Sequence, residues 1–112
     1  MDLYDKTGNN KIEPDCYIVY AYNFEGRNCL KFGKVIGVEL LEPKYNSYHK
    51  RDRGIDPYAG KEIKISVIGV EDNWKHKSPK ASEKGILRFP ERIIVIPFSM
   101  LPMYAKEILV DA

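Results

Sequence analysis

The chain has 112 residues, a net charge of +2, 44% hydrophobic residues and 30% charged residues. This length fits one domain, and the composition argues against disorder along the whole chain. The longest apolar run, residues 93–96, is far shorter than the ~20 residues that span a bilayer. Residues 1–15 contain no apolar stretch behind a basic start, so we expect no signal peptide and a soluble cytoplasmic protein.

The first elements in chain order are an N-terminal arm and a hairpin. Residues 1–15 are polar and turn-rich, and we expect them to precede a single domain over residues 16–112. From Cys16 onward aromatic and β-branched residues dominate, which predicts a strand with both faces partly covered. Residues 24–28 have the length and the glycine of a hairpin loop.

The second predicted strand covers residues 29–41 and contains two glycines, Gly33 and Gly37. Its alternating apolar residues predict one buried face, which Lys34 interrupts. Glycine inside a strand commonly marks a bulge or a close backbone approach. We therefore expect a strongly bent strand, with a bulge at Gly33 that turns Lys34 outward.

The rest of the chain predicts three more strands and one helix. The strands are expected at residues 62–71, 85–89 and 92–96, after long loops at 43–61 and 72–84. The last strand is apolar on both faces, as expected for a strand covered on both sides. In the tail, Ser99 can serve as the N-cap of a short helix that has Pro102 in its first turn and ends near Leu109.

These elements predict a mainly β protein, a single small five-stranded antiparallel barrel with long inserted loops and a short C-terminal helix. The segments LKFGKVIGVEL (residues 30–40) and RIIVIP (residues 92–97) resemble small Src-homology-3-type barrels of the KOW and Tudor kind over residues 16–97. KOW-type barrels commonly bind nucleic acid or the transcription and translation machinery. Tudor-type barrels bind peptides through aromatic cages. The resemblance suggests Tyr17, Tyr20 and Trp74 as the residues of such a cage.

The strongest functional signal is positive charge mixed with aromatic residues in the two long loops. Lysine and arginine release counterions from phosphate, and exposed aromatic rings stack on bases. The candidate binding residues are Lys44, Tyr45, Tyr48, His49, Lys50, Arg51, Arg53, Trp74, Lys75, His76, Lys77 and Lys80. The alternative is that these loops are simply solvated, as charged loops of soluble proteins often are.

We therefore expect a non-enzymatic binding module that contacts nucleic acid or a nucleic-acid-handling protein. The second hypothesis is a protein-interaction inhibitor of a host enzyme or defence factor. The excess of lysine over arginine and the many Ile, Asn and Tyr residues are similar to proteins of AT-rich bacteria and their tailed phages, so a phage accessory protein is the expected origin. It would act in a bacterial cell or a phage-infected host.

Catalysis, metal binding and cofactors are weaker hypotheses. A small ribonuclease would use His49 and His76 as a general acid–base pair, but nothing in the sequence brings them together. Cys16 and Cys29 lie in apolar stretches and are interpreted as core thiols rather than a disulfide. With the two histidines they lack the close-paired spacing of a zinc site. We expect no cofactor and no metal.

Overall fold

A computed structural model describes residues 2–42, 58–71, 80–82 and 84–112 of the chain. The described part forms one antiparallel sheet and one short helix. The elements are β1 (Tyr17–Phe24), β2 (Arg27–Leu41), β3 (Glu62–Glu71), β4 (Lys80–Ala81), β5 (Gly85–Leu87), β6 (Ile93–Ile96) and α1 (Met103–Leu109). The mainly β class and the C-terminal helix are confirmed, and the described sheet has six strands rather than five.

The strand order is β4-β3-β2-β1-β6, and β5 pairs with β3 on the edge that also holds β4. The strand pairings among the described residues form an open sheet. β1 and β2 form a hairpin in which Tyr17 pairs with Lys34 and Phe24 pairs with Arg27. Its turn is tighter than the expected loop, because Glu25 and Gly26 both have positive φ, as a two-residue turn that follows the strand twist requires.

The bulge in β2 lies between Val35 and Gly37. The sequence had predicted a bulge at Gly33, so its position was wrong. A single extra residue moves every later side chain to the other face of the strand. Phe32 accordingly packs on one face of the sheet, whereas Val38 and Leu40 pack on the other. The expected single buried face of this strand was therefore wrong.

The main core lies on one face of the sheet and draws on four strands and the N-terminal segment. Its buried hydrophobic residues include Ile18, Val35, Ile63, Ile65, Val67, Ile93, Leu3 and Ile12. Residues 2–15 close on themselves through a bridge between Tyr4 and Lys11. They then run along the outer edge of β6, where the Lys6 amide donates to the Ile93 carbonyl at 2.8 Å.

The second face of the sheet carries α1. Ala105 and Leu109 on the helix pack with Val70 of β3, together with Leu101 from the preceding turn. The helix begins after Pro102 and not after Ser99, because Leu101 precedes a proline and is held extended, with φ −69° and ψ 140°. This face is only partly covered, and Ile94 of β6 remains 37% exposed.

The sheet curls so that its two edges approach each other. β5 lies on one edge and β6 on the other, yet only residues 88–92 join them, with a 3₁₀ turn at Pro90–Arg92. In a flat sheet these strands would be roughly 19 Å apart, four strand spacings. A link that contains a tight turn cannot span that distance, so the sheet must curve around its core.

Candidate functional site

A groove of about 260 Å³ lies where the curled sheet brings its edges together. We call it the edge groove. Its β1 side consists of Tyr20, Ala21 and Asn23. The opposite side consists of Ile86 and Leu87 of β5, and the end is formed by Arg88, Phe89, Arg92 and Ile93.

Two glycines on neighbouring strands fix the ring of Tyr20 in the wall of the groove. Gly33 of β2 and Gly69 of β3 are cross-strand partners. A Cβ atom at Gly33 would lie 3.0 Å from Tyr20 Cε1, and one at Gly69 would collide with the Tyr20 hydroxyl. The glycines therefore provide the space that lets a large ring lie flat across two strands.

Both strands beside the groove present an open edge. β6 pairs only with Tyr17–Tyr20 of β1, so residues 21–24 have no strand partner on that side within the described chain. β5 pairs with β3, and no pairing among the described residues joins β5 to β1. Backbone groups at such edges are available for hydrogen bonds with another extended chain.

A partly buried ion pair holds one arginine at the groove. Arg88 Nη1 lies 3.0 Å from Glu62 Oε1 at the start of β3, and only 26% and 14% of the two side chains are exposed. The pair neutralises the charge of Arg88 and connects residues 88–92, which join β5 to β6, to the start of β3. A buried pair of this kind fixes geometry more than it adds net stability.

The second arginine is in a different environment. The Arg92 guanidinium lies 4.6 Å from the centroid of the Phe89 ring. In the described part of the chain, the Phe89 ring is the group against which this guanidinium lies. Phe89 and Ile86 are apolar residues at the groove, and 47% and 48% of their respective surfaces are exposed to solvent. The groove thus combines apolar walls with a charge that an aromatic ring orients.

The sequence-predicted binding residues fall almost entirely outside the described residues. Those outside are Lys44, Tyr45, Tyr48, His49, Lys50, Arg51, Arg53, Trp74, Lys75, His76 and Lys77. Lys80 is described and lies exposed on β4, away from the groove lining. The suggested aromatic cage does not form from Tyr17 and Tyr20, because they pack on opposite faces of the sheet.

The sequence reasoning missed the groove residues. The sequence placed Arg88 and Phe89 at the end of the strand predicted at residues 85–89 and Arg92 at the start of the strand predicted at residues 92–96, and it suggested no binding role for them. The available signal was two arginines and a phenylalanine around Pro90. These residues can be recognised as a site only when the strand order shows that residues 88–92 lie between the two sheet edges.

The described residues provide little for nucleophilic or metal chemistry. Burial raises the pKa of the Cys16 thiol, which keeps it protonated and packed against the main core. Cys29 is also a free thiol and is half-buried. No cluster of three or more His, Cys, Asp or Glu residues that could hold a metal occurs among the residues described.

No protein-family model matches the sequence, and neither the curated proteins nor the solved structures include a significant match. In the described ranges, none of the helices has the length and hydrophobicity needed to cross a membrane.

Proposed function

We propose that the protein is a non-enzymatic binding module whose edge groove takes an extended polypeptide segment of a partner protein. The observation that carries this proposal is the pair of open strand edges, at residues 21–24 of β1 and at β5, on the two sides of one apolar groove. An added strand would take its affinity from backbone hydrogen bonds to these edges. Side chains that enter the groove would supply its specificity.

The same geometry supports a finer proposal about the fold. Along β6-β1-β2-β3-β5 the sheet is continuous, and the link at residues 88–92 joins its two ends. This is the path that a five-stranded barrel of the Src-homology-3 type would follow. We propose that the edge groove is the gap in such a barrel and that a bound strand closes it.

A selection experiment tests the peptide-binding proposal. A random library of displayed peptides about six to eight residues long, the usual length of a strand, is selected on the wild-type protein. Ala21→Phe adds a large ring to the groove lining on the β1 side. Ala81→Phe adds the same ring on β4, which is exposed and outside the groove. Circular dichroism and thermal unfolding confirm that both variants fold.

We expect the selected peptides to lose at least about tenfold in affinity for Ala21→Phe and to bind Ala81→Phe as they bind wild type. Equal binding to both variants would overturn the proposal. So would a library that contains no binder for the wild-type protein.

The second candidate function is binding of single-stranded nucleic acid. The guanidinium of Arg92 over the Phe89 ring is an arrangement that also suits phosphate and a stacked base. The basic residues of the two long loops add to it in the sequence. If oligo(dT) binds here, Arg92→Ala should reduce the slope of log affinity against log salt by about 0.7, the loss of one phosphate contact.

The peptide-binding proposal also accommodates the inhibitor hypothesis. A phage-encoded inhibitor that adds its sheet to a strand of a host protein would need the open edge found at β1. The ribonuclease hypothesis stays a prediction from sequence, since His49 and His76 lie outside the described residues.

A further inference from the structure

Resting on the proposed function, we infer that the edge groove selects strands that carry an acidic side chain and that Arg92 is the residue that determines this specificity. The groove contains two arginines, and their different environments decide which of them can bind a partner.

Arg88 is already neutralised. Its guanidinium lies 3.0 Å from the Glu62 carboxylate, and both side chains are largely buried. A partner carboxylate would have to displace Glu62 from an ion pair whose two side chains are largely shielded from solvent. Arg88 therefore shapes the groove and does not select its occupant.

The charge of Arg92 is available to a partner. Within the described residues its guanidinium packs on the Phe89 ring at 4.6 Å and forms no ion pair. Among the described residues the guanidinium contacts only the face of this ring, so its N–H groups are available to a partner's hydrogen-bond acceptor. A guanidinium binds a carboxylate in a two-pronged geometry, in which one planar group donates two parallel hydrogen bonds.

The remainder of the groove favours an apolar side chain beside that carboxylate. Ala21, Ile86 and Leu87 line its walls, and a volume of about 260 Å³ leaves room for one large side chain. A polypeptide offers apolar and acidic side chains on one extended backbone. A nucleic acid offers the negative charge but no strand to pair with the β1 edge.

Parallel library selections on wild type, Arg92→Glu and Arg27→Glu test this inference. Arg27 is an exposed arginine in β2 that does not line the groove, so Arg27→Glu makes the same charge change elsewhere. We expect peptides selected on wild type and on Arg27→Glu to be enriched in Asp and Glu. Peptides selected on Arg92→Glu should be enriched in Lys and Arg instead.

A binding cycle gives the second readout. One peptide selected on wild type is synthesised with its acidic residues intact and with each replaced by the neutral amide. The replacement should weaken binding to wild type by about tenfold and binding to Arg92→Gln by less than about twofold. Arg92→Lys should retain the preference at a reduced ratio, because lysine lacks the planar fork.

Three results would overturn the inference. In the first, selected peptides depend on the groove but show no acidic enrichment. In the second, replacing their acidic residues weakens binding to Arg92→Gln as much as to wild type. In both cases the loss of affinity in Ala21→Phe would still support the proposed function. In the third, oligo(dT) displaces the peptides in an Arg92-dependent way, which would assign the anion to phosphate.

Discussion

The position of the Tyr20 ring depends on two residues that have no side chain. Gly33 and Gly69 are paired across β2 and β3, and the ring lies over both of them. Since Tyr20 also lines the edge groove, these glycines link the packing of the core to the shape of the site.

We expect Gly69→Ala to lower the free energy of unfolding by about 1–3 kcal/mol, because the new methyl group collides with the Tyr20 hydroxyl. Urea unfolding followed by circular dichroism measures the change. Gly85→Ala is the matched control, since a Cβ atom at Gly85 has no neighbour within 4 Å and its φ is not positive. A loss in Gly69→Ala no larger than in Gly85→Ala would contradict the steric explanation.

Tyr20→Phe provides a second test of the same contact. The hydroxyl is the group that a Cβ atom at Gly69 meets, so part of the destabilisation should disappear when the hydroxyl is absent. A double-mutant cycle of Gly69→Ala and Tyr20→Phe should give a favourable coupling free energy of about 0.5–2 kcal/mol. Strict additivity of the two substitutions would show that the collision lies elsewhere.

Asp5 is a buried carboxylate that joins the N-terminal segment to the edge of β6. It accepts hydrogen bonds from the Val95 amide at 3.0 Å, from the Asn10 side chain at 3.2 Å and from Thr7. Burial alone would raise its pKa, but together these hydrogen bonds outweigh burial and lower the pKa below the ordinary value of 3.8. The ionised form is therefore the one that stabilises the fold.

The resulting pH dependence has a definite sign. Because the folded-state pKa of Asp5 is below that of the unfolded chain, its stabilisation is present above pH 3.8 and is lost as the pH falls through the folded-state value. Asp5→Asn should lower the free energy of unfolding at neutral pH by about 1–3 kcal/mol and flatten the acid limb of the stability curve. Urea midpoints at neutral pH and below pH 3.8 measure both effects.

Asp2→Asn is the control for this prediction. Asp2 forms an exposed ion pair with Lys11 at 3.5 Å, a kind of contact that contributes little to stability. Its variant should therefore retain the wild-type acid limb. If Asp5→Asn and Asp2→Asn lost stability in parallel at every pH, the assigned role of the Asp5 carboxylate would be wrong.

At the scale of elements, local patterns predicted the long strands but missed the features that depend on pairing with other strands. Alternation and β-branched residues located β1, β2 and β3 within a few residues of their bounds. The bulge between Val35 and Gly37 has no side-chain signature, because β-branched and small residues occur on both sides of it. The two-residue β4 is too short for any periodicity to reveal.

The N-terminal segment is another element whose packing the sequence pattern does not reveal. Leu3 and Ile12 are buried at the main core, yet they are isolated apolar residues in a polar, turn-rich stretch. Their burial depends on the turn that Asp5 organises, which brings two distant positions side by side. Residue spacing alone cannot anticipate a contact of that kind.

The helix α1 is stabilised by its packing, since an isolated helix of seven residues is not stable in water. Leu109 is fully buried against the second face of the sheet, whereas its neighbour Val110 is 53% exposed. We expect Leu109→Ala to lower the free energy of unfolding by about 2–5 kcal/mol and Val110→Ala to change it by less than about 0.5 kcal/mol. Thermal unfolding of the two variants measures the difference, and similar losses would contradict the packing of α1 on the sheet.

At the scale of the whole molecule, the candidate site follows from topology and not from a motif. The sequence predicted that Arg92 begins a strand, but it did not place β5 opposite β1. The groove exists because residues 88–92 connect two edges of one curled sheet. The place of Arg92 at the groove therefore depends on the path of the chain, which residue spacing does not reveal.

Closing the sheet with an added strand should stabilise the molecule as a whole. A peptide that binds only the folded state, at about 100 times its Kd, adds about 2.7 kcal/mol to the free energy of unfolding. For a domain of this size, that corresponds to an increase in Tm of about 10 °C. A dye-based thermal shift assay with a selected peptide measures it in wild type, Ala81→Phe and Ala21→Phe.

Wild type and Ala81→Phe should show the full increase, whereas a tenfold loss of affinity in Ala21→Phe should reduce the increase by about half and a larger loss should reduce it further. The increase should also grow linearly with the logarithm of peptide concentration above Kd, as linkage requires. An equal increase in Ala21→Phe would place the peptide elsewhere on the protein. A decrease in Tm would mean that the peptide prefers the unfolded chain, and a strand that completes the sheet cannot behave in that way.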